Sequence, residues 1–147
     1  KTRLTDTASH IISMNSIYDF RTIYIDDEGI GVGVLDMLID NISTRRKTKA
    51  LRNSKKITDF KDDTKTRMLK VDLYMNMRRL MEQGKINLLD DEKVFQSYKS
   101  VQYEYTVDKK GKPFLKIFGN YTHIVEGLNR AAWSIKDKYK NFFITYM

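Results

Sequence analysis

The chain has 147 residues, one Pro, no Cys and a net charge of +8 from 27 Lys+Arg against 19 Asp+Glu. One domain able to bury about 70% of its unfolded surface is the expectation at this length, and 41% hydrophobic with 12% aromatic residues excludes a disordered tail. Without Cys there is no disulfide framework, thiolate metal site or thiol nucleophile, and with neither a signal-peptide pattern nor an apolar run of ~20 residues a soluble intracellular protein is expected.

In chain order, Thr5 or Asp6 can cap a helix running to about Tyr18. Thr22-Ile-Tyr-Ile-Asp26 is a β-branched and aromatic run that predicts a buried strand. Gly29, Gly31 and Gly33 punctuate a turn into a helix through Val34, Leu35, Leu38 and Ile39 to about Ile42. An excursion at about 44–64 follows, with one short strand expected near Ala50-Leu51 and a solvated loop over Thr58–Lys65. The spacing of Leu69, Leu73, Met77 and Leu80 predicts a helix from Lys65 to Gln83, stopped by Gly84. Ile86–Leu88 reads as a short strand, and Asp90 or Asp91 opens a helix through Val94, Phe95 and Tyr98. Val101, Tyr103, Tyr105 and Val107 alternate on one face of a strand, Asp108–Lys112 is a hairpin loop, and Phe114–Phe118 returns. A last helix spans about Tyr121 to Tyr139, with Ile124, Leu128, Ala131, Ala132 and Ile135 as its apolar face, and Phe142–Met147 packs as a strand or cap. This order predicts an α/β fold with a mixed sheet.

The charge is concentrated. Arg45, Arg46, Lys47, Lys49, Arg52, Lys55 and Lys56 follow one another without an acid, a pattern that suits a phosphate backbone or a solvated surface segment. Lys109, Lys110 and Lys112 add a basic hairpin tip. Acids gather elsewhere: Asp26, Asp27 and Glu28 end the first strand, where α/β sheets collect ligands and where carboxylates can hold Mg²⁺ or Mn²⁺. The same turn also reads as an exposed acidic bend whose glycines only allow packing. Its glycine spacing matches no dinucleotide fingerprint, and it lacks the Gly-Lys-Ser/Thr of a P-loop. Near the C-terminus His123 and Glu126 share a helical face with Arg130 one turn on, a spacing open to metal ligation and equally common on plain surfaces. His10 has no ligand-spaced neighbour and reads as surface.

Taken together, these motifs resemble the C-terminal nuclease domain of the large terminase subunit of tailed viruses. The match runs through Ile23-Tyr-Ile-Asp26, Gly29-Ile-Gly-Val-Gly33, Leu35 and Leu38, Leu73-Tyr74, Leu80, Gly84-Lys-Ile86, the hairpin Val101–Phe118 and His123-Ile-Val-Glu126-Gly127-Leu128. The resemblance implies an RNase H-like mixed sheet flanked by helices and a two-metal endonuclease that cuts viral genome concatemers during packaging. It implies Asp26 as a metal ligand and catalytic residue, places His123 at the third ligand position with Glu126 one turn on able to supply the carboxylate, both expected in the metal and catalytic set, and implies Mg²⁺ or Mn²⁺ as cofactor. Asp27, which the family pattern does not require, is expected to help at the metal. His123 stands where the family has Asp, which favours Mn²⁺. The family's opening meander, its first catalytic Asp and its motor domain are expected upstream of Lys1, leaving 1–147 as a partial domain, inactive alone and prone to self-association through an exposed strand edge. Implied partners are double-stranded DNA, the motor domain, the small terminase subunit and the portal, with no membrane, in the cytoplasm of an infected host cell. Two alternatives stand beside it, a non-catalytic DNA- or partner-binding fragment and an RNase H-like resolvase-type nuclease.

Overall fold

The computed structural model describes residues 3–58, 66–108 and 111–144, with the backbone alone at 66 and 136–144. The chain packs as two compact units, 1–53 and 54–147. Among the described residues it holds five helices and six short strands, and no helix is long and apolar enough to cross a membrane.

The first unit is a helix followed by a βαβ element. Helix α1 covers Leu4–Tyr18, and its first turn is tied down by the Asp6 carboxylate, which accepts the Arg3 amide at 3.3 Å. Strand β1 is Ile23–Ile25, α2 is Gly31–Asp40 and β2 is Thr48–Ala50. β1 and β2 pair in parallel, with Ile23 opposite Thr48 and Ile25 opposite Ala50, so the chain needs a crossover between them, and α2 provides it. Ala8, Ile23, Val34 and Leu38 form the core, packed by Ile11, Ile12, Phe20, Ile25 and Met37. The buried Thr44 hydroxyl donates to the Leu38 carbonyl at 2.7 Å, satisfying an acceptor left open as α2 ends.

The second unit begins with an antiparallel pair, β3 (Lys56–Thr58) and β4 (Thr66–Met68). Helix α3 (Leu69–Glu82) follows, then α4 (Glu92–Lys99), the hairpin β5 (Gln102–Val107) and β6 (Pro113–Phe118), and α5 (His123–Ile144). Asp91 caps α4 by accepting the Lys93 and Val94 amides at 2.8 and 3.2 Å. Met77, Leu80 and Ala132 centre the core between α3 and α5, with Met81, Ile86, Tyr98, Leu128 and Ile135 around them.

Several expectations are corrected. In place of one mixed sheet, the described strands pair as three two-stranded sheets. The excursion at 44–64 holds two strands where one was expected near Ala50-Leu51: Thr48–Ala50 joins β1, while Lys56–Thr58 pairs with a strand read as the start of the α3 helix. Cross-strand bonding holds 66–68 extended, so α3 starts at Leu69, whose amide reaches the Lys55 carbonyl at 2.7 Å. Ile86–Leu88 is irregular: Ile86 packs on the α3–α5 core two residues after the left-handed Gly84 (φ 61°), and no strand among the described residues pairs with it. The last helix runs on through residues 142–144, read as a strand or cap, while 145–147, the 59–65 stretch and Lys109–Lys110 lie outside the described residues.

Candidate functional site

Asp26 and Asp27 follow directly on β1, at its carboxyl end. The chain reverses through Gly29 (φ 60°), and Gly31 opens α2 against the strand end. A Cβ at Gly31 would run into the Asp26 carbonyl, so this glycine is required by close approach and not only by turn geometry. The Arg52 guanidinium, just past β2, donates to Asp27 Oδ2 at 2.8 Å. That bond, reinforced by the charges of Asp27, Glu28 and Asp26, holds Arg52 above its ordinary pKa. One of the predicted phosphate-binding cations is therefore turned onto the acidic strand end.

The basic run divides by role. Lys47 bonds Asn15 Oδ1 at 3.1 Å and Asp19 Oδ1 at 2.5 Å, fixing α1 to the start of β2, and its ammonium holds the Asp19 carboxyl below the usual range. Arg45, Arg46 and Lys49 are exposed in the first unit, and Lys55 and Lys56 in the second. Lys112 is exposed at the end of the β5–β6 loop, which Asp108 closes by accepting the Lys112 amide at 2.9 Å.

The start of α5 is placed by α4. Ser97 is buried, donates its hydroxyl to the Tyr121 carbonyl at 2.6 Å and accepts the Val125 amide at 3.2 Å. His123 is exposed at the first turn. Glu126 is held: Lys70 Nζ lies 3.1 Å from Oε1 and Arg130 Nη1 lies 3.5 Å from Oε2. Arg130 is only 5% exposed, and Asn129, Val125 and Ala132 are buried beside it, whereas Ala131 is exposed. The buried face of this helix is thus wider than the apolar pattern predicted: Leu128, Ala132 and Ile135 pack on the core, and Arg130 with part of Glu126 is turned inward as well. Burial, with the Glu126 charge adding and Arg130 opposing, raises the Tyr74 hydroxyl pKa, and burial pushes Tyr98 up to about 12.

The donor chemistry at the strand end fits a hard cation in part. Asp27 Oδ1 is buried with no hydrogen-bond partner, an oxygen that a divalent ion would satisfy. In the second unit Glu126 meets two protein cations, which compete with a metal for the same oxygens. Within neither unit does a group of three metal-ligating side chains converge among the described residues. One residue that shapes the α5 site was missed in the sequence: Lys70, partner of Glu126. It stands on α3, and no local pattern links that helix to α5.

No protein-family model matches the sequence, and no curated protein matches it. In fold the chain is similar to the large terminase nuclease from thermophilic phage G20c, in a crystal structure with bound magnesium, at a TM-score of 0.60 and 17% sequence identity. The similarity covers 89% of this chain and 61% of that one, so the chain spans about three fifths of its neighbour. The likeness is one of fold, and it agrees with the family resemblance read from the residues.

Proposed function

We propose that the chain is a terminase-type nuclease module that cuts double-stranded DNA with Mg²⁺ or Mn²⁺, in viral genome packaging. One observation carries this proposal: a terminase-nuclease-like fold bears a carboxylate pair, Asp26 and Asp27, at the carboxyl end of a parallel strand. Asp26 and Asp27 would hold the cation, the second through the oxygen that Arg52 leaves over. When bound, such a cation supplies Lewis-acid polarisation of a phosphodiester oxygen. Arg52 offsets one of the three acidic charges and draws its part of the basic run to them. Arg45, Arg46 and Lys49 lie exposed for the phosphate backbone and fix its register without reading sequence. His123 and Glu126 enter as further site residues through the resemblance, and Glu126 reaches a cation only by releasing Lys70 or Arg130. The motor domain, small terminase subunit and portal follow as partners.

Plasmid nicking by the full-length protein tests this. Mn²⁺-dependent nicking that Asp26→Asn abolishes, with the circular dichroism spectrum unchanged, is the expected outcome. Equal nicking by both proteins removes Asp26 from the chemistry. DNA binding that falls steeply with salt, without nicking in either metal, leaves a binding module in its place.

A further inference from the structure

The second unit carries an apolar groove that the nuclease proposal does not use. It has a volume of about 550 Å³ and lies between the end of α3, the irregular 84–90 segment and α4. Met81, Leu88, Val94 and Tyr98 form its floor and sides, and Leu89 and Phe95 stand over it 76% and 60% exposed. Exposed apolar side chains grouped at a concavity mark an interaction site more than scattered ones do.

The charges name the partner. The charged residues lining the groove are Asp90, Asp91 and Glu92, all acidic, on a protein of net charge +8. The N-terminus of α4 would ordinarily favour an anion here, but Asp91 already takes the Lys93 and Val94 amides. Lys99, the cation against Phe95, stacks on the ring at 4.5 Å. An apolar cleft with an acidic rim therefore favours a cationic, apolar-faced ligand and disfavours nucleic acid.

We propose that this groove docks a short segment of a partner protein carrying Leu- or Phe-type side chains flanked by Lys and Arg. The site is separate in chemistry from phosphate binding, so it stands whether or not the protein cuts DNA.

The test uses the full-length protein and a fluorescein-labelled amphipathic peptide of Leu, Phe, Lys and Arg, read by anisotropy. Its control is the same peptide with every Lys and Arg replaced by Glu. Only the basic peptide is expected to bind, and ¹⁵N amide shifts on binding are expected to cluster between residues 81 and 98. Leu89→Ser with Phe95→Ser is expected to weaken it about tenfold or more, as loss of a central apolar anchor does. Asp90→Asn with Glu92→Gln, which keeps the Asp91 cap, is expected to weaken it by about threefold to tenfold and flatten its salt dependence. Both pairs lie on the surface, and an unchanged unfolding midpoint confirms the fold. Absence of binding, equal binding of the acidic control, or binding that survives Leu89→Ser with Phe95→Ser overturns the proposal. Concentration-dependent dimerisation that Phe95→Ser abolishes also overturns it, since a second copy would then be the occupant.

Discussion

The acidic end of β1 and the start of α5 invite the same reading in sequence, as carboxylates spaced to hold a metal, yet their surroundings differ. Asp27 pairs with an arginine whose side chain is 54% exposed, and one carboxylate oxygen stays over. Glu126 pairs with a lysine and with an arginine that is almost wholly buried. The two carboxylates are alike in exposure, 15% and 17%, so the difference lies in the cation: an exposed arginine rearranges at little cost, while a buried one that loses a carboxylate is costly. A carboxylate's neighbours, more than its spacing from the next ligand, decide whether it is at liberty to bind a metal.

The largest expected effect falls at α5. Glu126→Ala takes the carboxylate from the buried Arg130, which keeps the Glu126 carbonyl at 3.1 Å, and from Lys70, and is expected to cost about 3 kcal/mol, read by urea unfolding. A loss below about 0.5 kcal/mol, within the range of ordinary surface changes, would erase the contrast between the two sites. Gly31→Ala comes next. Its new Cβ meets backbone at Asp26, so the strand end must shift, at about 1–3 kcal/mol and with weaker Mn²⁺ binding by titration calorimetry. Gly127 provides the opposite case in α5, because a Cβ there meets nothing within 4 Å. Gly127→Ala is expected to raise stability by up to about 1 kcal/mol, the helix propensity difference. Arg52→Gln sharpens the comparison from the other side: stability changes by less than about 1 kcal/mol, while Mn²⁺ binds more tightly as the competing cation is removed.

The smallest effect is on pH. Tyr98 ionises near 12 in the fold and near 10 unfolded, so its contribution is complete below pH 10 and lost as pH rises towards 12. Tyr74 moves in the same direction through burial. Phenolate absorbance is therefore expected to lag that of free tyrosine until alkaline unfolding. Half-ionisation of both residues at pH 10 in the folded protein, as for free tyrosine, would contradict their burial.

Much of the architecture was legible where the signal is local. Asp90 or Asp91 before an amphipathic stretch marked α4 because a cap uses neighbouring amides, and the structure puts the cap at Asp91. The alternation from Val101 to Val107 and the Asp108–Lys112 turn marked the hairpin, and the register confirms it with Tyr103 opposite Ile117 and Tyr105 opposite Leu115. The start of α3 was misplaced because Thr66–Met68 suits a helix or a strand alike, and its pairing with Lys56–Thr58 decides between them. At the site, Asp26 and the glycine turn could be found from type and order. The tie between Arg52 and Asp27 could not, since it depends on β2 returning beside β1.

By itself, the sequence determined the five helices but not all of their starts (α1 has Arg3 at its N-cap where Thr5 or Asp6 was expected), together with the hairpin, the acidic strand end and the clustering of basic charge. Each follows from periodicity, turn chemistry or composition over a few neighbouring residues. Tertiary structure alone decided that Lys47 and Arg52 serve internal carboxylates, that Gly31 must be glycine, and that Glu126 belongs to an ion network with Lys70 and a buried Arg130. The physical reason is that burial and charge partnership are properties of packing. They are set by side chains brought together from distant parts of the chain.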